Sequence, residues 1–171
     1  MRGTRRFGWL AAAAVATGLV TGVAPVGAAT SYVTAGGALS DLAVGTYNAT
    51  DGASAQLYAL ASGGTTTFRV YFTGLDPQAA GTTFGAHIHI GPCVAGNGAA
   101  ALGHYNIGGT PSPSTEVWLD FTVRDGGYGY AMTTVPFVIA SGAAKSMVIH
   151  ALPTAPGGAA GARQACLPVT F

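Results

Sequence analysis

Two histidines one residue apart, His87 and His89, are the residues of this sequence best suited to chemistry. They lie in the stretch GAHIHIGPC, whose composition is typical of a β-strand. Because side chains alternate between the two faces of a strand, both imidazoles point to one side, with Cα atoms about 6–7 Å apart. Two such imidazoles supply half of a metal site. A His-x-His pair on its own, however, is more often two solvent-facing polar residues on a half-buried strand.

The other histidines favour the metal site. The chain contains four in all. His104 stands in the segment GHYN within a predicted long loop, and His150 ends a predicted strand. No other residue type present ordinarily titrates near neutral pH. When a chain has few histidines and each stands at the edge of an element or in a loop, a metal site is more typical than a general polar surface.

The N-terminal residues predict export. Three arginines precede an apolar run over residues 7–20, and the small residues VGAA follow. This is the arrangement of a secretory signal peptide, which we expect to span residues 1–29 and to be cleaved after Ala28 or Ala29. A membrane anchor is the alternative, but the run is mostly Ala and Gly, with Pro25 before the cleavage-like site. We therefore expect an extracytoplasmic protein without stable membrane insertion after cleavage.

The two cysteines, Cys93 and Cys166, are predicted to pair. An exported chain meets an oxidising compartment, and the number of cysteines is even. On the chain-entropy model, a bridge that closes a loop of roughly 70 residues stabilises the fold by about 4 kcal/mol. Two buried free thiols are the alternative.

Charge excludes one large class of function. After residue 29 the chain has four basic and six acidic residues. Such a sparse, slightly acidic set provides no basic patch for nucleic acid. Residues 30–171 are a normal length for one domain with a full core.

The apolar pattern predicts about eight short strands separated by Gly-rich turns, with no helical periodicity. The clearest strand, 65–73, places Phe68, Val70 and Phe72 on one face. The others are predicted at 39–47, 53–61, 85–90, 116–123, 128–135, 145–150 and 165–171. Residues 30–37 are predicted to be a poorly ordered lead-in, and residues 94–114 a long loop. This pattern predicts an all-β, antiparallel sandwich or flattened barrel.

Four segments in this order resemble the copper/zinc superoxide dismutase family. They are GAHIH at 85–89, GHYN at 103–106, MVIHA at 147–151 and GARQAC at 161–166. FTGL at 72–75 is also similar to a strand end of the family. The resemblance covers most of the domain and includes both cysteines.

The resemblance implies an eight-stranded Greek-key barrel that holds copper. It implies that the copper ligands are His87, His89, His104 and His150. It also implies that Arg163 lies beside the open copper face and that Cys93 and Cys166 form the family disulfide.

The zinc subsite of that family is not matched. In the family, the ligand that corresponds to His104 bridges to a zinc ion, which needs two further histidines and an aspartate. No histidine lies between Asn106 and Thr115. Glu116 falls near the position of the aspartate, but one carboxylate does not complete a four-ligand site, and we interpret it as a solvated residue at a strand start. The sequence therefore predicts copper without zinc.

The loop after His150 also departs from the family. Only 12 residues separate His150 from Arg163, so the charged guiding loop of the family is largely missing. Thr154 stands where the family has an aspartate behind the metal ligands.

Three functions are compatible with these residues. The first is an exported superoxide dismutase that uses copper alone, in which Arg163 attracts the superoxide anion and His104 supplies a proton. The second is a non-catalytic copper-binding or copper-storage domain, which the missing zinc subsite and guiding loop favour. The third is a structural domain of the chordin type, which shares the His-Ile-His-x-Gly-Pro stretch but does not require His104, His150 or Arg163.

Overall fold

The computed structural model describes residues 30–171, and the predicted signal peptide lies outside the described residues. Ten strands and two short 3-10 helices, Pro77–Ala79 and Gly98–Ala101, make up the regular structure of this part of the chain. The strands are β1 (Ser31–Ala38), β2 (Ser40–Asp41), β3 (Ser54–Ser62), β4 (Thr65–Thr73), β5 (Thr83–Phe84), β6 (Ala86–His89), β7 (Phe121–Thr122), β8 (Gly129–Val135), β9 (Ser146–His150) and β10 (Arg163–Pro168).

The strands form three antiparallel sheets. One has the order β1-β3-β4-β8, the second β2-β10-β9-β6, and the two short strands β5 and β7 pair separately. The predicted all-β antiparallel fold is confirmed. The sheets do not close on one another, so the domain is a sandwich rather than a closed barrel.

The core lies between the two four-stranded sheets. Alternation along β4 buries Phe68, Val70 and Phe72, as predicted from the sequence. From the other sheet, Met147 and Ile149 of β9 belong to the same buried cluster. This shared core fixes β9, which carries His150, and β6 is hydrogen-bonded beside it.

The predicted N-terminal lead-in is wrong. Residues 31–38 form β1, which pairs along its whole length with β3, from Ser31 opposite Ala61 to Ala38 opposite Ser54. Regular structure within the predicted strand 39–47 is limited to Ser40–Asp41. As an edge strand, β1 half-buries only Val33 and Ala35, so its apolar pattern is weak.

The predicted disulfide is confirmed. Cys93 and Cys166 are bridged with their Cα atoms 5.7 Å apart, which ties the segment after β6 to β10. A disulfide is compatible with an extracytoplasmic location. Among residues 30–171, no helix has the length and apolar character needed to cross a membrane.

Candidate metal centre

The fold brings the four histidines together. One nitrogen of each lies within 4.8 Å of the corresponding nitrogens of the other three. His87 and His89 come from β6, and His150 ends the adjacent strand β9. His104 comes from the long loop, which returns to form a β-bridge with His89. The predicted gathering of these residues is therefore confirmed.

The four rings of the cluster differ in exposure. His87, His89 and His150 are buried, because β6 and β9 are covered on both faces rather than half-exposed. The side chain of His104 is 17% exposed. His104 is therefore the most exposed ring of the cluster.

Backbone carbonyls orient His89 and His150. The Nδ1 atom of His89 lies 3.2 Å from the carbonyl oxygen of Leu102, and Nδ1 of His150 lies 3.2 Å from that of Gly161. Since a carbonyl can only accept, each ring is assigned its proton at Nδ1 and a free lone pair at Nε2. The two Nε2 atoms are 3.2 Å apart, so two lone pairs face one another, an arrangement that a cation between them would stabilise.

A carboxylate orients His104. Its Nδ1 atom lies 2.8 Å from Oε2 of Glu116, which leaves the Nε2 lone pair facing the cluster. Glu116 also accepts hydrogen bonds from Trp118 Nε1 at 2.8 Å and Asn106 Nδ2 at 3.0 Å. Glu116 is only 3% exposed, so its interpretation as a solvated residue is wrong. The hydrogen bonds from His104 and Asn106 depend on how the long loop folds back, which strand periodicity does not report.

A threonine orients His87. Its Nε2 atom lies 2.7 Å from Oγ1 of Thr154. Its Nδ1 atom is buried and has no hydrogen-bond partner. An unpartnered buried nitrogen is costly unless something else binds it. Of the ring nitrogens of the four histidines, Nδ1 of His87 is the one that is buried without a hydrogen-bond partner.

Burial keeps three of the rings neutral. It is the main cause that lowers the pKa of His87 to about 2, of His89 to about 3 and of His150 to about 4. The electrostatic interaction with the neighbouring His104 lowers all three further. Neutral imidazole is the form that binds metals, so the cluster is ready to bind at physiological pH.

The pKa of Glu116 is set by opposing effects. Burial raises it, but the hydrogen bonds from Trp118, His104 and Asn106 outweigh burial and hold the pKa below its ordinary value. Glu116 is therefore an anion beside His104 at neutral pH.

Arg163 is attached to the same framework. It is the first residue of β10 and pairs with His150. Its Nη1 donates to the carbonyl oxygen of Gly98 at 2.5 Å, and its Nη2 donates to that of Leu102. The Leu102 carbonyl thus joins Arg163 to His89 through one shared oxygen. Arg163 is half-buried rather than a free surface charge.

The donor set fits a transition metal. Four imidazoles could hold copper, zinc, iron or nickel, and no thiolate takes part because both cysteines are bridged. The geometry alone does not select one of these ions. Neither the models of known protein families nor the curated proteins compared with this chain gave a match.

Proposed function

We propose that this chain is an exported, copper-dependent superoxide dismutase. The observation that carries the proposal is the cluster itself: four histidines offer four ring nitrogens within 4.8 Å of one another, and an arginine is fixed to the carbonyl that orients one of them. The first part of this arrangement suits a redox metal, and the second suits a small anion.

Copper is the metal that we assign to the cluster. Imidazole nitrogens suit it, and affinity among divalent first-row ions peaks at Cu²⁺. His87 would ligate through Nδ1, and His89, His104 and His150 through Nε2. Bound copper would supply one-electron chemistry, by which two superoxide ions and two protons give one oxygen and one hydrogen peroxide molecule.

Arg163 is assigned to binding the anion. Its guanidinium is cationic at any working pH and has five N–H donors. Two of them are held by Gly98 and Leu102, which fixes the plane of the group and leaves three donors. A pre-oriented cation beside the cluster would attract superoxide and align it without reorganising.

His104 is assigned to proton transfer. It is the most exposed ring of the cluster, so water reaches it most easily. Glu116 holds the proton at Nδ1, and Nε2 would carry a second proton for the reduced product whenever it is released from the metal. The anionic Glu116 would stabilise that doubly protonated ring.

Glu116 also explains how the site works without zinc. The nitrogen of His104 that points away from the cluster is already bonded to Glu116, and Asn106 and Trp118 hold the carboxylate in place. A second metal is then not needed to orient this ring. We therefore propose a site that uses copper alone.

A copper titration followed by a superoxide assay tests the proposal. The full chain is expressed with export, purified and stripped of metal, and copper is added stepwise. We expect one copper per chain and catalytic loss of superoxide that a free-copper chelator does not suppress. Binding without turnover would support a copper-storage domain, and absence of binding would support a structural domain of the chordin type.

A further inference from the structure

We infer that Thr154 and Asp120 position His87, and that their hydrogen bonds select which of its two ring nitrogens faces the metal. The inference deepens the proposed copper site and rests on it for the identity of the ligand. Thr154 and Asp120 are positioning residues, because neither touches the metal or the substrate.

The hydrogen bonds have one consistent direction. A threonine hydroxyl has one proton to donate, and Thr154 Oγ1 donates it to Oδ1 of Asp120 at 2.5 Å. The same oxygen lies 2.7 Å from Nε2 of His87 and can only accept there. His87 therefore carries its proton at Nε2, and its Nδ1 lone pair is free. The partners of the other three rings place the proton at Nδ1.

The threonine itself is held at two points. Besides the bond to its hydroxyl, its backbone N–H donates to Oδ2 of Asp120 at 2.7 Å. Both oxygens of one carboxylate thus fix the position of the loop residue and the rotation of its side chain. Thr154 comes from the short loop 151–162, whereas Asp120 comes from the segment that pairs with β6 at Trp118.

The backbone beneath Thr154 is shaped for this contact. Gly85 precedes β6, and a Cβ built on it would lie 3.0 Å from Thr154 Oγ1 and 2.8 Å from Ala160 Cβ. Any larger residue at position 85 would push the loop outward. Glycine there lets the loop approach β6 closely enough for the hydroxyl to reach the ring.

The consequence is a defined tautomer at a buried ring. Without the hydroxyl, a proton at Nε2 would be buried without an acceptor, which is unfavourable. Neither ring nitrogen would then have a protein partner, so the ring would lose its preference for the Nε2–H form and be free to rotate. Either change makes the Nδ1 lone pair less available to the cluster. Partners that orient a ligating histidine typically contribute 10–100-fold to metal affinity.

The first test uses metal-free protein. Long-range ¹⁵N–¹H NMR correlations report the tautomer of each of the four rings. We expect one ring protonated at Nε2, assigned to His87 by its absence in His87→Gln, and three protonated at Nδ1. Thr154→Val keeps the shape but removes the hydroxyl, so the Nε2–H signal of His87 should weaken as part of the population carries its proton at Nδ1, whereas Thr154→Ser should keep the wild-type signal. An unchanged His87 signal in Thr154→Val would overturn the inference, whatever the protein does with copper.

The second test measures copper affinity by competition with a chelator, together with the Cu²⁺ EPR spectrum. We expect affinity to fall about 10–100-fold in Thr154→Val and in Asp120→Asn, with altered hyperfine values, and to recover in Thr154→Ser. Thr67→Val and Asp125→Asn are matched controls. Thr67 bonds to Thr134 within the sheet that does not carry the histidines, and Asp125 is an exposed turn residue. Affinities and spectra equal to wild type in both site variants would overturn the inference. A wild type that takes up no copper would overturn the proposed function, while the tautomer measurement would still decide the positioning role.

Discussion

The four rings of the cluster are oriented in two different ways. Backbone carbonyls of Leu102 and Gly161 hold His89 and His150. Side chains that lead to a carboxylate hold His87 and His104, through Thr154 to Asp120 in one case and directly by Glu116 in the other. We refer to these as the carbonyl-held pair and the carboxylate-held pair.

The difference separates what the fold fixes from what single residues fix. No substitution removes a backbone carbonyl, so the carbonyl-held pair is oriented wherever the loops follow this path. The carboxylate-held pair depends on Asp120, Thr154 and Glu116, each of which one substitution can change. We therefore expect all four rings to provide binding as such, and the replaceable supports of the second pair to adjust affinity and turnover.

Breaking the carbonyl-held pair should have the largest effect. In His89→Ala, three imidazoles remain. The Nε2 atom that lies 3.2 Å from Nε2 of His150 is lost, so no second nitrogen faces His150 across the metal position. Stoichiometric copper binding should be lost. The same holds for His150→Ala, and also for His87→Ala in the carboxylate-held pair, because each leaves only three imidazoles. Metal analysis and the visible copper spectrum after dialysis measure this, with circular dichroism as a check of folding. A His89→Ala protein with the copper content and spectrum of wild type would refute the ligand assignment.

Arg163 shares the Leu102 carbonyl with His89 of the carbonyl-held pair. Reversing its charge tests whether the framework of that pair also positions a group that attracts the substrate. Two unit charges about 5 Å apart interact by about 3 kcal/mol at an effective dielectric near 20. In Arg163→Glu, copper should still bind, but the superoxide rate constant should fall by one to a few orders of magnitude, at about 1.4 kcal/mol per tenfold.

Ionic strength provides a second readout for Arg163. Salt should slow the wild type more than Arg163→Glu, because screening weakens the attraction of the anion. Arg69→Glu is a matched control with the same change of charge, on the exposed face of β4. Equal rates and equal salt slopes in wild type and Arg163→Glu at full copper loading would show that Arg163 does not act on the substrate.

Acid should act on the buried rings before it acts on the carboxylate at His104. The pKa values of His87, His89 and His150 lie at about 2, 3 and 4 in the folded chain, below about 6.5 in the unfolded chain. As pH falls below about 6.5, the unfolded chain binds protons that the folded chain does not. Metal-free protein should then lose up to about 1.4 kcal/mol per pH unit for each histidine.

Urea unfolding of metal-free protein at pH 7 and pH 5 measures this loss. Glu116 contributes only at lower pH, since its pKa is held below its ordinary value and its stabilising effect disappears as it becomes protonated. His87→Gln should reduce the slope between these two pH values by about one third. Equal stability at pH 7 and pH 5 would contradict the burial of three neutral rings.

The sequence predicts the histidines of the cluster better than the supports of the carboxylate-held pair. His-x-His on a strand and a histidine at the end of another strand follow from alternation and from element ends. The supports of His87 and His104 require that loop 151–162 and the long loop each reach a side chain far along the sequence, and no local pattern encodes such a contact. Thr154 was identified only by its position, and Asp120 was not identified at all.

The N-terminal strand was missed for a related reason. A strand at the edge of a sheet needs to bury only part of one face, and β1 does this with Val33 and Ala35 among small and polar residues. Its partner strand, β3, has the full alternation of an inner strand and was predicted almost to the residue. The period of apolar residues in the sequence reflects the burial of side chains. It therefore does not predict a strand that is held mainly by backbone hydrogen bonds.

Breaking the carboxylate-held pair at Glu116 should have a smaller effect than losing a ligand. Glu116 accepts three hydrogen bonds, and in Glu116→Gln the amide nitrogen must face at least one donor. We expect copper to remain bound and the rate of superoxide loss to fall by about tenfold or more. Rates are compared at full copper loading, with Asp125→Asn as a control that also removes one carboxylate. A rate equal to wild type would show that Glu116 only fills space beside His104.

Zinc removal should have the smallest effect, and it tests whether Glu116 takes the place of a second metal. The nitrogen of His104 that a zinc ion would need is bonded to Glu116 at 2.8 Å, and the segment 107–114 has no side chain that zinc favours. Protein reconstituted with copper alone should therefore match protein reconstituted with copper and zinc, both in rate and in thermal midpoint. Glu116→Ala frees that nitrogen, but one imidazole is a poor zinc site, so added zinc should not restore its rate. One tightly bound zinc per copper in active wild-type protein would show that the carboxylate-held pair is incomplete without a second ion.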